Sequence, residues 1–552
     1  MKIDAIKGNR RARQSYDIVS NGEVVESVNL IEVYNSYTGT DTSSTSQTDY
    51  FCLPEGSYEM VFHTENGFEK WVDGSSITLN TYTHTAASYF IGVYSGMRNG
   101  DRITFSNKFL ISGEMDKWTY LADGTVPEGW NTVEFGGSWT TLTEGNTVSQ
   151  SVWLFRSTVE MDTIQGYNSY ELNMNCRAGV VVYLNGVEVY RVGVEGEVTS
   201  GSTSTINSNS LNPHVLVGLV GANYLKEGSN VFAIAVVNRD ATERAIDFTA
   251  TLNLRAATAD LAHGTQISSS ASGGTAGNAF NGNIANKWSA ELSGAFLQFQ
   301  WTDSQYRHQQ VNKFCLVSAA NAPGNEPSAF TVSTLNGENW TPVGTYTGVY
   351  WTKRTQRQCF YLSDPVAIQG MKLEFTAVAA PESTTVELAL FDFLEENTDK
   401  VLPDLSFSPA AISGIVNVPI EPIVPANPYY EEFSASPALP AGLEFGSNGA
   451  IYGTPTETAS GVYTITGISI NGEAFNTTVA IDIKQCTGDE SLVYVHITDT
   501  GSRGYYMGYE LKDPVSGTVV GSRSEFDNNA LYMYHSYCLG LRNYQITMKD
   551  YS

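Results

Sequence analysis

Apolar and polar residues alternate along this chain with the two-residue period of half-buried β-strands. Tyr58, Met60 and Phe62 interleave with Glu59, Val61 and His63, and Tyr544, Ile546 and Met548 repeat the pattern near the other end. Between the runs "VVVYL" and "VEVYR", Asn185-Gly186 predicts a two-residue hairpin, because a type I′ turn needs positive φ at both central residues. Residues 439–455, "LPAGLEFGSNGAIYGTP", place two tight turns around a short apolar strand, Ala450-Ile451-Tyr452. Gly442, Gly449 and Gly453 there permit backbone closed to other residues, and Pro440 fixes φ ahead of the turn. With 552 residues, 50 glycines and only 16% charged residues, the chain reads as several all-β units.

Composition narrows the function. A net charge of −27 argues against nucleic acid, whose phosphates need clustered Lys and Arg. No apolar run reaches the length of a membrane span, and "MKIDAIKGNRRARQ" does not read as a signal peptide. The six cysteines include no C-x-x-C pair. Cys315 and Cys359 fall in one β unit and Cys486 and Cys538 in another, so each pair is expected to bridge strands; Cys52 and Cys176 have no evident partner. Sequons at Asn339 and Asn476 permit glycosylation, with Pro342 expected to hinder the first. These features point to an extracellular location.

Several stretches resemble known module families. "YFCLPEGSYEMVFHTENGFEKW" (residues 50–71) and "SYCLGLRNYQITMKDYS" (536–552) resemble a Cys-containing β repeat of extracellular and cell-wall proteins that ends in a Gly-Asp-Gly-Trp turn. Residues 1–120 are read as one such module and 486–552 as a partial second. Phe155-Arg156, "VVVYLNGVEVYR" and "LKEGSNVFAIAVVN" resemble a galactose-binding-like jelly roll over residues 121–257. Over 258–396, Ala279-Phe280-Asn281-Gly282, Trp288 and "NGENW" resemble a discoidin (coagulation-factor C-type) jelly roll. That resemblance implies core roles for Trp288 and Trp340; Asn281, in place of the usual acidic residue, leaves a structural calcium ion unsupported. Residues 397–485 resemble immunoglobulin-like, cadherin-related modules of surface proteins, in which Leu443, Phe445 and Ile451 face a sandwich core and the glycine-rich stretch serves architecture. The expected fold is all-β: tandem sandwiches and jelly rolls arranged as beads joined by short linkers.

Catalytic chemistry is not apparent. Seven histidines are scattered singly, and no nucleophile elbow, phosphate loop or dinucleotide fingerprint occurs. The expectation is a non-enzymatic protein with no cofactor. Since both jelly-roll families bind glycans or lipid headgroups through end loops, Trp351, Tyr183 and Tyr190 are the candidate glycan contacts, with Trp351 expected to be the exposed one. Five of the 31 basic residues, Lys2, Lys7, Arg10, Arg11 and Arg13, form an N-terminal basic tail. Because the second Cys repeat stops before its turn, its bare strands are expected to be covered by the N-terminal region of another copy. Head-to-tail contact of that kind would build a surface filament, flagellar hair or matrix. The alternatives are a glycan-binding adhesin, or accessory modules of a secreted carbohydrate-active enzyme.

Overall fold

The computed structural model describes all residues except 8–13, 21, 31–44, 55, 65–75, 83–87, 96–101, 107–108, 112–114, 122, 144–145, 149, 162–163, 165–166, 168, 207–211, 220–223, 241–243, 246–247, 256–266, 281–285, 303–305, 321–322, 395–401, 501–503, 505, 525, 527–529 and 551–552. Apart from short 3-10 turns, the described elements are strands, and they assemble into a tandem series of β-sandwich and jelly-roll units.

At the N-terminus two four-stranded sheets face each other. Their core holds Ile3, Tyr16, Ile18, Met60, Phe62, Ile77 and Phe105. One apolar side chain from every second residue supplies that core, as the alternation at Tyr58, Met60 and Phe62 predicts. The basic tail requires correction. Lys2–Lys7 is an inner strand, paired on one side with Thr45–Tyr50 and on the other with Ser76–Tyr82. Alternating Ile3 and Ala5 are buried and so anchor the segment in its own sheet, where Lys2 meets Asp4 at 2.8 Å. Both backbone edges are used, so this strand has no free edge to donate. Arg10, Arg11 and Arg13 lie outside the described residues.

The next unit packs the sheet containing Val152–Met161 and Gly228–Val237 against the one containing Ser169–Cys176 and Thr249–Arg255. Trp118, Phe155, Tyr170, Phe232 and Phe248 fill the space between. Asn185 and Gly186 form the expected turn, with φ of 51° and 88°. The Asn185 amide is tied down by donating to the Tyr224 carbonyl (2.6 Å) and accepting from the Val231 N–H (2.8 Å).

The joint to the following jelly roll is a continuous sheet. Asn212–Leu219 runs parallel to Arg307–Val317, with Val215, Leu216 and Val217 opposite Arg307, His308 and Gln309. The second jelly roll closes over Trp288, Phe299, Trp301, Phe314, Phe330, Trp351 and Phe391. Cys315 and Cys359, facing each other across Arg307–Val317 and Arg357–Ile368, are joined by a disulfide.

Residues 403–484 form a smaller sandwich, with Ala411–Ile415 parallel to Ala474–Lys484 and a hairpin of Leu443–Phe445 and Ile451–Gly453. Leu443 and Ile451 are buried, and Phe445 is half-buried against Phe433. Gly442, Gly449 and Gly453 all have positive φ. A Cβ on Gly442 would lie 2.0 Å from the Thr454 carbonyl oxygen, so only glycine closes this hairpin.

That hairpin also docks the sandwich onto the jelly roll before it. Ser447 N–H donates to the Thr347 carbonyl (2.9 Å), and the Asn448 amide donates to the Tyr350 carbonyl (3.1 Å) and the Gln358 amide oxygen (2.7 Å). Gly348, at φ +60°, lets Tyr452 and Gly446 approach; a Cβ there would sit 2.3 Å from the Tyr452 hydroxyl. Gly348→Ala is expected to destabilise this joint by about 1–2 kcal/mol through left-handed strain and displacement of Tyr452. A urea melt should show the loss, and an unchanged melt would mean the hairpin is not seated there. Beside the same joint, Lys313 is buried with its ammonium 5.2 Å and 5.7 Å from the ring centres of Tyr361 and Tyr429. Burial pushes its pKa down to about 7.

The C-terminal unit pairs Glu490–Asp499 with Leu531–Gly540 and sets them over Val519–Ser524, Met507–Lys512 and Gln545–Asp550. Tyr509, Phe526, Ala530 and Met533 make its core, and a disulfide joins Cys486 to Cys538. Leu531 N–H donates to the Thr352 carbonyl (2.8 Å), so this unit also touches the second jelly roll.

Candidate functional site

An exposed row of aromatic side chains marks the C-terminal unit. In Glu490–Asp499 the residues Leu492, Tyr494 and His496 point outward while Val495 and Ile497 pack on the core. The sheet beneath covers only the face of this strand that carries Val495 and Ile497, so the opposite face meets water. Tyr494 is 57% exposed and Leu492 39%. Tyr534, directly across from His496 in the ladder, stacks on the imidazole at 4.4 Å with a 12° tilt. Partial burial lowers the His496 pKa, so its ring is neutral at neutral pH.

Further aromatics lie at the docking hairpin. Burial raises the Tyr350 pKa, with Tyr534, Glu326 and Glu421 adding to the shift. Tyr350 in turn stacks against Tyr452 at 5.9 Å. Burial, followed by a hydrogen bond with Glu444 across the hairpin, pushes the Tyr452 pKa up to about 12. Tyr350 and Tyr452 thus join the second jelly roll to the residue 403–484 sandwich, and the nearby Leu531–Thr352 bond ties in the C-terminal unit that carries Tyr494, His496 and Tyr534. Flat aromatic faces of this kind offer a stacking surface for the C–H faces of sugar rings, and exposed apolar patches on soluble proteins mark interaction sites.

The aromatics picked from sequence lie elsewhere. Trp351 is 1% exposed and its indole N–H donates to the Pro327 carbonyl (2.8 Å), so it is a core residue and not an exposed contact. Tyr190 is also buried, at 2% exposure. Its hydroxyl donates to the Tyr306 carbonyl (2.9 Å) and lies 2.9 Å from His214 Nδ1, where the two jelly rolls meet. His214 and His308 beside it are pushed down to about 4 by burial, His214 additionally by His308, so both are neutral. Tyr183 is half-buried, edge-on to Trp130 at 5.6 Å, beneath a loop that also positions Trp139 over Arg156. Trp288 is fully buried, whereas Trp340 is half-buried, with the Lys372 ammonium 5.6 Å from its ring.

A metal site is not built from the described residues, which contain no group of three His, Cys, Asp or Glu able to hold an ion. Asn281 and Gly282 lie outside the described residues. In the same jelly roll the buried Glu387 carboxylate receives the Lys287 ammonium at 2.6 Å and the Ser289 hydroxyl at 3.3 Å. The lysine neutralises that carboxylate. Among the described residues no helix is long and apolar enough to cross a membrane.

The hairpin, the parallel first strand and the four-stranded sheet of the fourth unit decide its class. Residues 403–484 match the family model "Putative Ig domain". A comparison with curated proteins found no match. Among solved structures, the family 32 carbohydrate-binding module of C. perfringens NanJ, in complex with galactose, shares 14% identity. It aligns over 24% of this chain and 95% of its own, with a TM-score of 0.20. The fucolectin from striped bass serum aligns over 46% of this chain and 85% of its own, at 11% identity and a TM-score of 0.20. A glycosyl hydrolase family 2 member from Bacteroides cellulosilyticus aligns over 71% and 37%, at 9% identity and a TM-score of 0.21. The Ig domain carries Tyr452, Glu421 and Glu444, and sets Tyr452 against Tyr350 of the second jelly roll.

Proposed function

We propose that the chain is a non-enzymatic, extracellular glycan-binding protein whose contact surface is the row from Tyr494 to Tyr452. The observation that carries the reading is the stacking of exposed His496 on half-buried Tyr534, beside the exposed Tyr494 ring. Two disulfides suit an oxidising compartment. In this reading the chain divides at about residues 120, 257, 396 and 485, and its units hold the surface rigidly through the shared sheet and the docked Ig hairpin. Asn339 and Asn476, both exposed, are available for glycosylation. The filament reading needs a donated N-terminal strand, and Lys2–Lys7 is already paired on both edges.

The test is a glycan array probed with the full chain and with Tyr494→Ala. Since Tyr494 is mostly solvated, its removal should leave the thermal melt unchanged. Affinity for any bound glycan should fall about tenfold or more, the loss of one stacked aromatic contact at about 1.4 kcal/mol. Binding equal to the parent would place the glycan site elsewhere.

A further inference from the structure

We infer that the aromatic row takes a polysaccharide carrying free amines, such as a deacetylated amino-sugar polymer, in preference to neutral or acidic glycans. This rests on the glycan reading above. Two exposed carboxylates accompany these aromatics. Glu490 is exposed and shares the outward parity of Leu492, Tyr494 and His496 on one strand. Glu444 is exposed and faces Tyr452 across the hairpin. Glu421 is set apart from them, with its carboxylate 3.9 Å from Arg523 and from His535, which faces the core rather than the row.

The cationic groups at this surface are few and partly engaged. Arg523 is held at long range by Glu421, Lys353 sits at the bridge to Ala530, and His535 is buried with Nδ1 2.8 Å from the Tyr509 hydroxyl. His496 on the row itself is neutral, as noted above. Across the whole chain, 58 acidic residues face 31 basic ones. A uronate or sulfated polymer would therefore meet a repulsive field, while an ammonium-bearing polymer would be drawn towards the surface. At short range an ammonium gains twice here, from the electron-rich ring faces and from the carboxylates beside them. The sugar rings between the amines supply the C–H faces that stack on Tyr494 and Tyr534. A neutral polymer would use only that stacking.

The experiment compares retention of the full chain on chitosan and on chitin, which share one backbone and differ in acetylation. Each is run at about 0.02 M and about 0.5 M NaCl, where the screening lengths differ several-fold. The parent should be retained about tenfold more strongly on chitosan at low salt and be released at high salt. Tyr494→Ala and Glu490→Gln should each lose most of that preference, with unchanged melts. Chitosan retention that Tyr494→Ala leaves intact would show attraction by bulk charge alone and overturn the proposal. Equal, Tyr494-dependent retention on both polymers would overturn the amine preference while leaving the glycan reading standing. Retention on neither, alongside Tyr494-dependent binding of neutral glycans on the array, would do the same. Retention on neither with no Tyr494-dependent binding on the array would overturn both.

Discussion

Replacing Trp351 with alanine is expected to destabilise the second jelly roll by about 3–5 kcal/mol, the usual cost of truncating a buried large aromatic. The side chain is 1% exposed, lies in the cluster with Phe314, Phe330 and Phe360, and gives its N–H to the Pro327 carbonyl. Truncation leaves a cavity in a close-packed core and strips that carbonyl of its donor. Chemical denaturation followed by fluorescence would register the change. A variant with unaltered stability but lost glycan binding would return Trp351 to the surface role that its sequence context suggests.

The second large effect concerns the Cys315–Cys359 bond. The Cys315→Ala/Cys359→Ala variant is expected to lose about 4 kcal/mol, from the loop-closure entropy of a 44-residue separation. The consequence reaches beyond one unit, because Cys315 sits on Arg307–Val317, the strand whose other end pairs with Asn212–Leu219 of the first jelly roll. Loosening it should weaken the shared sheet as well as the local sandwich. Calorimetry of the parent and the double variant checks this. Equal transition temperatures would show that the bond contributes nothing to the native state.

How legible this molecule is from its sequence depends on how local the governing interactions are. The Asn185-Gly186 turn and the glycine hairpin of the Ig domain are local, since positive φ at a few positions dictates them. Gly442, Gly449 and Gly453 have that φ. What the hairpin does beyond closing itself was not legible, since its docking through Ser447 and Asn448 depends on residues about 100 positions away. Tyr190 looked like a surface aromatic for a similar reason. Val187 and Glu188 on the same strand are exposed, and only the parallel pairing of residues 215–217 with 307–309 brings Tyr306 and His308 onto it.

The aromatic row was hidden by a different effect. Leu492 to Ile497 is apolar on both faces apart from His496, so periodicity alone reads it as a strand buried on both sides. Only one face of this strand is covered by the sheet packed on it, which leaves Tyr494 in solvent, and that packing is a property of the fold. The N-terminal basic residues misled in the opposite direction. Charge suggested a solvated tail, while the alternation of Ile3 and Ala5 with Lys2 and Asp4 carried the strand signal.

Hydrogen–deuterium exchange of the full chain with and without a bound glycan locates the binding surface directly. Protection is predicted in peptides covering 490–499 and 531–540, extending to 444–452 of the Ig domain, with the region around Trp130 and Tyr183 unchanged. Protection around residues 130–139 and 183–191, with none at 490–499, would contradict this placement.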